Sequence, residues 1–241
     1  RPSGDSSYHI WAGCRTWGRH SKWTILRRKC SKWSAGALQK CASAGAPEPR
    51  RPLSNVSIHP RVRIGHVHLK VADLDRALHF YCEVLGFQVM QRFGPAAAFI
   101  SAGGYHHHIG LNTWDREPGS APPPGTTGLY HFAIRYPDRA SLGDALRRLR
   151  EARVALEGAS DHGVSEALYL RDPEGNGIEL YADRARAEWP PSQSDGQVAM
   201  FTEALDAPSL LAAGRAGSGP RLPADSRIGH VHLSVSSLEK A

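Results

Sequence analysis

Residues 64–69 read Ile-Gly-His-Val-His-Leu, and the same six residues return at 228–233. A weaker copy, Gly-Leu-Tyr-His-Phe-Ala-Ile, occupies residues 128–134 between them. Self-similarity of this kind is typical of chains built from repeated structural units. The sequence therefore predicts two complete modules and the beginning of a third.

The elements of the first module follow from its periodicity. Val67, Leu69 and Val71 alternate with polar residues and predict a strand over Ile64–Val71. Asp73 can cap a helix that runs to Leu85, and Gly86 stands where a C-terminal cap belongs. Three further strands are predicted near Phe87–Arg92, Ala97–Ala102 and His107–Asn112. The predicted order is β-α-β-β-β.

The second module repeats that order. Its predicted elements are a strand over Leu129–Arg135, a helix over Ala140–Ala152, and strands near Val154–Glu157, Ala167–Arg171 and Ile178–Tyr181. Residues 172–177, Asp-Pro-Glu-Gly-Asn-Gly, predict a turn before the last strand. The predicted fold class is α+β, with paired βαβββ modules whose curved sheets form a metal-holding cup.

The modules 62–116 and 127–183 are predicted to make one complete domain, 62–183. Residues 184–226 are predicted to be a linker with one short helix near Leu205–Ala213, and 227–241 to be the truncated start of a further module.

Residues 1–60 carry eleven Lys and Arg against only Asp5 and Glu48, whereas the whole chain has a net charge of +7. This segment lacks helical or strand periodicity and is expected to be a basic, disordered extension. A nucleic-acid-binding arm has no supporting fold motif, and a zinc site lacks a close Cys pair. Apolar runs are too short to span a bilayer and no signal-type stretch follows the basic start. We expect a cytoplasmic protein that binds neither nucleic acid nor membrane.

Three residues at matching module positions suggest a metal site. His66 and His131 lie on the first strands of the two modules, and Glu179 lies on the last strand of the second. Two imidazoles and one carboxylate hold a divalent ion while leaving coordination positions open for substrate. Glu179 is the most telling member, because a carboxylate between two apolar residues is costly if it is buried unpaired.

The segments that carry these residues resemble the vicinal oxygen chelate superfamily, which includes glyoxalases, bleomycin-resistance proteins and extradiol dioxygenases. They are IGHVHLKVADLDRALHFYCEVLGF from residue 64, GLYHFAIRYPD from residue 128 and DHGVSEALYLRDPEGNGIELYAD from residue 161. Within this superfamily, the segments resemble most the catechol 2,3-dioxygenase-like branch. It implies an enzyme that cleaves the ring of a small aromatic diol with O2, using Fe(II) or alternatively Mn, Zn or Ni.

The same resemblance implies roles for individual residues. The metal ligands would be His66, His131 and Glu179, and His108 would be the acid-base residue. His162 and Tyr169 would hydrogen-bond the substrate oxygens. His68, Asn112 and Trp114 are expected around the pocket, and His230 repeats His66 without any partner visible in the sequence.

Two other functions remain open on this fold. A glyoxalase-like isomerase or a fosfomycin-type thiol transferase would use Zn, Ni or Mn, but a four-ligand glyoxalase site needs a Glu where this chain has His108 and Gly110. A drug-sequestering protein of the bleomycin-resistance kind would need no metal. Fold alone does not decide among these functions. Module pairing across chains is common in the superfamily, so a homo-oligomer is a further possibility.

Overall fold

The described part of the chain contains both predicted modules and the strand of the third. The computed structural model describes residues 57–114, 123, 125–192, 196–215 and 219–239. Apart from residues 57–60, the predicted basic extension lies outside the described residues. The chain divides into two units, Arg1–Arg61 and Val62–Ala241, and all described strands and helices lie in the second.

The first module forms a four-stranded sheet in the order β1-β4-β3-β2, with β1 and β4 parallel. Its elements are β1 Val67–Lys70, α1 Leu74–Leu78, a π-helical segment His79–Val84, β2 Gln88–Phe93, β3 Ala97–Ser101 and β4 Ile109–Asn112. The side chain of Asp73 accepts a hydrogen bond from the backbone N–H of Arg76, which confirms the predicted cap. Gly86 has a φ of 89°, as expected for the residue that ends the helix. The predicted β-α-β-β-β order is confirmed.

The second module and the residues after it form a six-stranded sheet in the order β10-β5-β8-β7-β6-β9. The module consists of β5 Gly128–Tyr136, α2 Arg139–Glu151, β6 Leu156–Asp161, β7 Ser165–Arg171 and β8 Gly177–Asp183. After it come a 3₁₀ turn Arg186–Glu188, β9 Glu203–Ala204, α3 Ala207–Ala213 and β10 Arg227–Ser234. Both predicted helices of this half, α2 and the short α3, are present. The fold is α+β with βαβββ modules.

The edge of β5 is covered by the third repeat and not by the first. β10 pairs antiparallel with β5, with His232 opposite His131 and His230 opposite Ala133. Ile228 at the start of β10 is buried in the core. The expected cup brings the first strands of modules one and two together around one centre, but β1 and β5 lie in different sheets. Because residues 64–69 and 228–233 are identical, the strand pattern alone did not distinguish between these two partners.

Modules one and two nevertheless share one apolar core. A single cluster of buried side chains contains Leu69 of β1, Phe132 of β5 and Leu142 of α2. The Tyr81 hydroxyl, which is fully buried, donates a 2.8 Å hydrogen bond to Asp172 Oδ2 in the turn before β8. The two modules therefore pack through their inner faces and helices. Among the described residues, no helix is both long and apolar enough to cross a membrane.

Candidate metal centre

Two of the predicted ligands come from neighbouring strands of the six-stranded sheet. β5 and β8 run parallel, and Glu179 lies opposite Ala133, two residues beyond His131. Residues two apart on a strand point to the same face of the sheet. His131 and Glu179 are both buried, with 7% and 5% of their surface exposed. Their side chains meet, with His131 Nε2 at 3.0 Å from Glu179 Oε2.

The third imidazole at this centre belongs to His230 on β10. Its Nε2 also lies 3.0 Å from Glu179 Oε2 and 3.4 Å from His131 Nε2. The side chain of His230 is 45% exposed, so it closes the centre on the solvent side. The three donor atoms are thus mutually close.

These separations fit a divalent metal ion. Metal–ligand distances of about 2.0–2.2 Å place neighbouring donor atoms about 3.0–3.5 Å apart in octahedral or tetrahedral coordination. The distances among His131, Glu179 and His230 fall in that range. Two imidazoles with one carboxylate on one side of an ion leave its other positions open, as in non-haem Fe(II) oxygenases.

Electrostatics at the centre also suit a cation. Burial lowers the pKa of His131, and the neighbouring His232 and His230 lower it further, although Glu179 acts in the opposite direction. A neutral imidazole presents the lone pair that a metal needs. Glu179 is a buried carboxylate whose recorded ion-pair partners are His131 and His230. A cation bound at this centre would compensate the buried negative charge of Glu179.

A cavity of about 390 Å³ opens beside the centre. It lies against the six-stranded sheet, and its lining residues include Tyr130, His131, Ser160, His162, Tyr169, Ile178 and His232. Small-molecule pockets begin at about 300 Å³ and combine apolar walls with a few placed polar groups. The cavity therefore has room for a ligand with a single substituted ring.

Two of the predicted catalytic residues meet in this cavity. His162 Nε2 lies 2.9 Å from the hydroxyl of Tyr169, and His162 Nδ1 lies 3.0 Å from the carbonyl oxygen of Phe201. Since a carbonyl only accepts, the bond to Phe201 is donated by a proton on His162 Nδ1. The Tyr169 hydroxyl also hydrogen-bonds the carboxylate of Glu179. Burial and the negative charge of Glu179 raise the pKa of Tyr169 well above its usual value, so this hydroxyl keeps its proton.

The structure does not bring His66 to this centre. His66 lies just before β1 in the other sheet, where its ring contacts His68, His106 and His107 at centroid distances of 5.0, 6.4 and 4.4 Å. Its expected place beside His131 and Glu179 is taken by His230. The reason is the pairing of β5 with β10, which carries the duplicate of His66 into the position that the sequence assigned to His66 itself.

His108 is also placed away from the cavity. It is buried in the first module, where its Nδ1 lies 2.9 Å from Ser101 Oγ and its ring packs on Tyr105 at 4.8 Å. The acid-base role predicted for His108 needs a side chain that reaches the bound substrate. His108 instead makes its contacts within its own module. Asn112 and Trp114 also lie in this module, and the backbone N–H of Trp114 donates a hydrogen bond to Asn112 Oδ1.

Sequence reasoning missed two residues of the centre, His230 and His232. The ring of His232 contacts that of His131 at 4.8 Å and lines the cavity. The signal for both was present, because residues 228–233 copy residues 64–69 letter for letter. Glycine 229 is part of the same signal, since a Cβ at this position would collide with the hydroxyl of Tyr181. The close packing of β10 on the sheet thus requires the glycine of the motif.

Comparisons with known proteins agree with the fold. Residues 63–180 match the Glyoxalase/Bleomycin resistance protein/Dioxygenase superfamily. The chain is 45% identical over 187 residues to the catechol-2,3-dioxygenase of Bacillus subtilis, an alignment that covers 77% of this chain and 64% of that protein. It is 34% identical over 124 residues to biphenyl-2,3-diol 1,2-dioxygenase 3 of Rhodococcus globerulus, covering 50% of this chain and 63% of that protein.

A probable lactoylglutathione lyase of Synechocystis is more distant, at 28% identity over 128 residues, covering 48% of this chain and 91% of that protein. The chain thus spans somewhat less than two thirds of the length of both dioxygenases. The repeated βαβββ modules agree with these similarities. The chain belongs to the Glyoxalase/Bleomycin resistance protein/Dioxygenase superfamily.

Proposed function

We propose that this protein is an Fe(II)-dependent extradiol dioxygenase that cleaves the ring of a catechol-type substrate with O2. The observation that carries the proposal is the convergence of His131 Nε2, Glu179 Oε2 and His230 Nε2 within 3.0–3.4 Å of one another. This donor set, beside a cavity of about 390 Å³, leaves room for two adjacent hydroxyl oxygens and O2. The names of the two dioxygenase relatives, which act on catechol and on biphenyl-2,3-diol, support this substrate class.

The metal ligands in this proposal are His131, Glu179 and His230. Fe(II) bound there would supply electron transfer between the diol and O2, which Mn, as an alternative redox metal, can also support. Zn and Ni are the alternatives if the chemistry is an isomerisation. The single carboxylate among the three donors matches the two-histidine, one-carboxylate set of non-haem iron oxygenases.

His162 and Tyr169 are the residues we assign to the substrate oxygens. The proton on His162 Nδ1 is held by Phe201, so Nε2 is the atom that can take a proton from a diol hydroxyl. Tyr169 keeps its proton and can donate a hydrogen bond to an oxygen that gains negative charge. A positioned acid or base of this kind contributes roughly 10²–10⁴ in rate. His162 takes over the acid-base role that the sequence assigned to His108.

The cavity walls complete the site. Tyr130 and Ile178 line one part of it and can pack against an aromatic ring, while the ring of Tyr130 also contacts His232 at 4.8 Å. Offset or edge-to-face ring contacts contribute about 0.5–1.5 kcal/mol beyond burial. Glu157 and Arg171 also line the cavity, so polar substituents on the substrate ring would find charged side chains there.

The decisive experiment is reconstitution of the purified chain with Fe(II) under anaerobic conditions, followed by addition of a catechol and air. We expect stoichiometric O2 uptake and the yellow ring-fission product. Chain with full Fe(II) occupancy that consumes no O2 with catechol, 3-methylcatechol or 2,3-dihydroxybiphenyl would disprove the dioxygenase. Formation of the lactoyl thioester from methylglyoxal and glutathione on the Zn or Ni form would then favour the isomerase.

Two variants test the assigned roles. His162→Ala should lower kcat by about 10²–10⁴ and remove one limb of the pH–rate profile, while the bound Fe(II) is retained. Tyr169→Phe removes only the hydroxyl and should lower kcat less, because His162 still reaches the substrate. His108→Ala is the matched control, and it should leave the pH profile unchanged. A profile that responds to His108 and not to His162 would reverse the assignment.

A further inference from the structure

A second group of imidazoles lies on the first sheet, separate from the centre just described. One nitrogen each of His66, His68 and His107 lies within 4.8 Å of the other two. Their ring centroids are 5.0 Å apart for His66 and His68, 4.4 Å for His66 and His107, and 5.4 Å for His68 and His107. No residue of this group belongs to the centre formed by β5, β8 and β10.

The strand register gathers these rings. β1 and β4 are parallel, and His68 lies opposite Gly110. A Cβ at residue 110 would lie only 2.5 Å from the His68 ring, so the glycine leaves the space into which that ring folds. Phe99, which is opposite Gly110 on β3, contacts the rings of His68 and His107 at 6.1 and 5.0 Å. The rings of this group therefore pack near Phe99 and Gly110, on a surface formed by β1, β3 and β4.

His107 presents an unused donor atom to this group. Its Nδ1 lies 2.7 Å from His106 Nδ1, which occupies one side of the ring. Its other nitrogen, Nε2, is buried and has no hydrogen-bond partner among the described residues. A buried polar atom without a partner is costly, and such atoms in native proteins frequently mark the place of an ion or ligand. This atom is an independent sign that the group binds something.

The separation of the three nitrogens is close to what a metal ion needs. They lie within 4.8 Å of one another, whereas donor atoms around a tetrahedral ion lie about 3.4 Å apart. Binding therefore requires a small movement of the side chains of His66 and His68, and both are exposed.

We propose that His66, His68 and His107 form a second metal site, which takes a borderline divalent cation such as Zn(II), Ni(II) or Co(II). Three imidazoles without a carboxylate favour these ions over Mn(II) or Mg(II), which prefer oxygen ligands. Three protein ligands also leave a tetrahedral ion one position for water or an incoming small molecule. This site is independent of the dioxygenase proposed above and does not depend on its activity.

The test is Co(II) and Zn(II) binding to the full chain in a Glu179→Ala background, which removes the first centre. We expect one equivalent to remain bound with the visible absorption of nitrogen-coordinated Co(II). Adding His107→Ala or His68→Ala should weaken this binding by at least about 100-fold. Changing a residue that only orients a metal ligand already costs up to about 100-fold, and loss of the ligand itself should cost no less. His79→Ala, which removes an exposed histidine on the π-helical segment, should leave it unchanged.

A fourth variant separates a built site from loose surface histidines. Gly110→Ala keeps every donor but forces the His68 ring out of its place. It should weaken binding about tenfold or more. Equal Co(II) affinity in the His107→Ala, His68→Ala and His79→Ala proteins would overturn the proposal, and so would binding that appears only at millimolar metal. All of these measurements use the Glu179→Ala chain. A result that overturns the second site would therefore leave the proposal for the first centre unaffected.

Discussion

The structure gives His230, and not His66, as the third donor of the first centre, and removing each imidazole in turn tests this assignment. In the structure, His230 contributes one of three donor atoms lying 3.0–3.4 Å apart, whereas His66 contributes none. Changing a residue that merely orients a metal ligand already costs about 10–100-fold in affinity. Loss of the ligand itself should therefore reach at least about 100-fold, which is about 2.7 kcal/mol at 1.36 kcal/mol for each factor of ten. His66→Ala should change the affinity less than about threefold at this centre.

The assay is Fe(II) or Zn(II) competition with a fluorescent chelator, using chains that also carry His107→Ala so that a single site reports. His79→Ala is the matched control for the loss of an exposed imidazole. His230 is 45% exposed, so its removal should leave the thermal unfolding of the metal-free chain nearly unchanged. A 100-fold loss in His66→Ala with normal binding in His230→Ala would refute the pairing of β5 with β10 as the origin of the centre.

Three further predictions concern the scaffold. Tyr81→Phe removes a fully buried hydrogen bond to the Asp172 carboxylate and should lower the free energy of unfolding by about 1.5–3 kcal/mol, measured by urea denaturation. Gly229→Ala places a methyl group against the Tyr181 hydroxyl and should destabilise the chain by about 1–3 kcal/mol and weaken metal binding, with Tyr181→Phe restoring part of both. Although burial alone would raise it, hydrogen bonds from Ser141 and Arg215 leave the pKa of Asp138 below 3.8 in the folded protein. Its stabilising contribution is therefore present above pH 3.8 and is lost as the pH falls through the lower folded value, so the stability difference from Asp138→Asn should shrink below pH 3.8.

Local pattern was sufficient to predict the elements of both modules. Alternation at Val67, Leu69 and Val71 and the cap at Asp73 depend on nearest neighbours in the chain, and these neighbours are the same in the folded and unfolded states. Glu179 and His131 were also predicted together, from their places on the first and last strands of the second module. Those two residues do meet in the structure.

Pairing between distant strands was beyond the reach of that pattern. Residues 64–69 and 228–233 are identical, so their propensity, periodicity and burial preference are identical too. The choice between them at the edge of β5 depends on where the rest of each strand's module packs. The structure decides it in favour of β10, with Ile228 in the core and Gly229 against Tyr181. The placement of His108 is decided in the same way, because β1 pairs with β4 within the first sheet.

From the sequence by itself come the βαβββ modules, the superfamily resemblance and the prediction of a centre with two histidines and one carboxylate. These follow from residue types and short spacings, which a linear pattern contains in full. Only the tertiary structure decided which histidine is the third donor, that His162 and not His108 faces the cavity, and that His66 joins a second group of imidazoles. The third donor depends on which of the two identical strands pairs with β5. Packing between residues that are far apart in the sequence makes that selection.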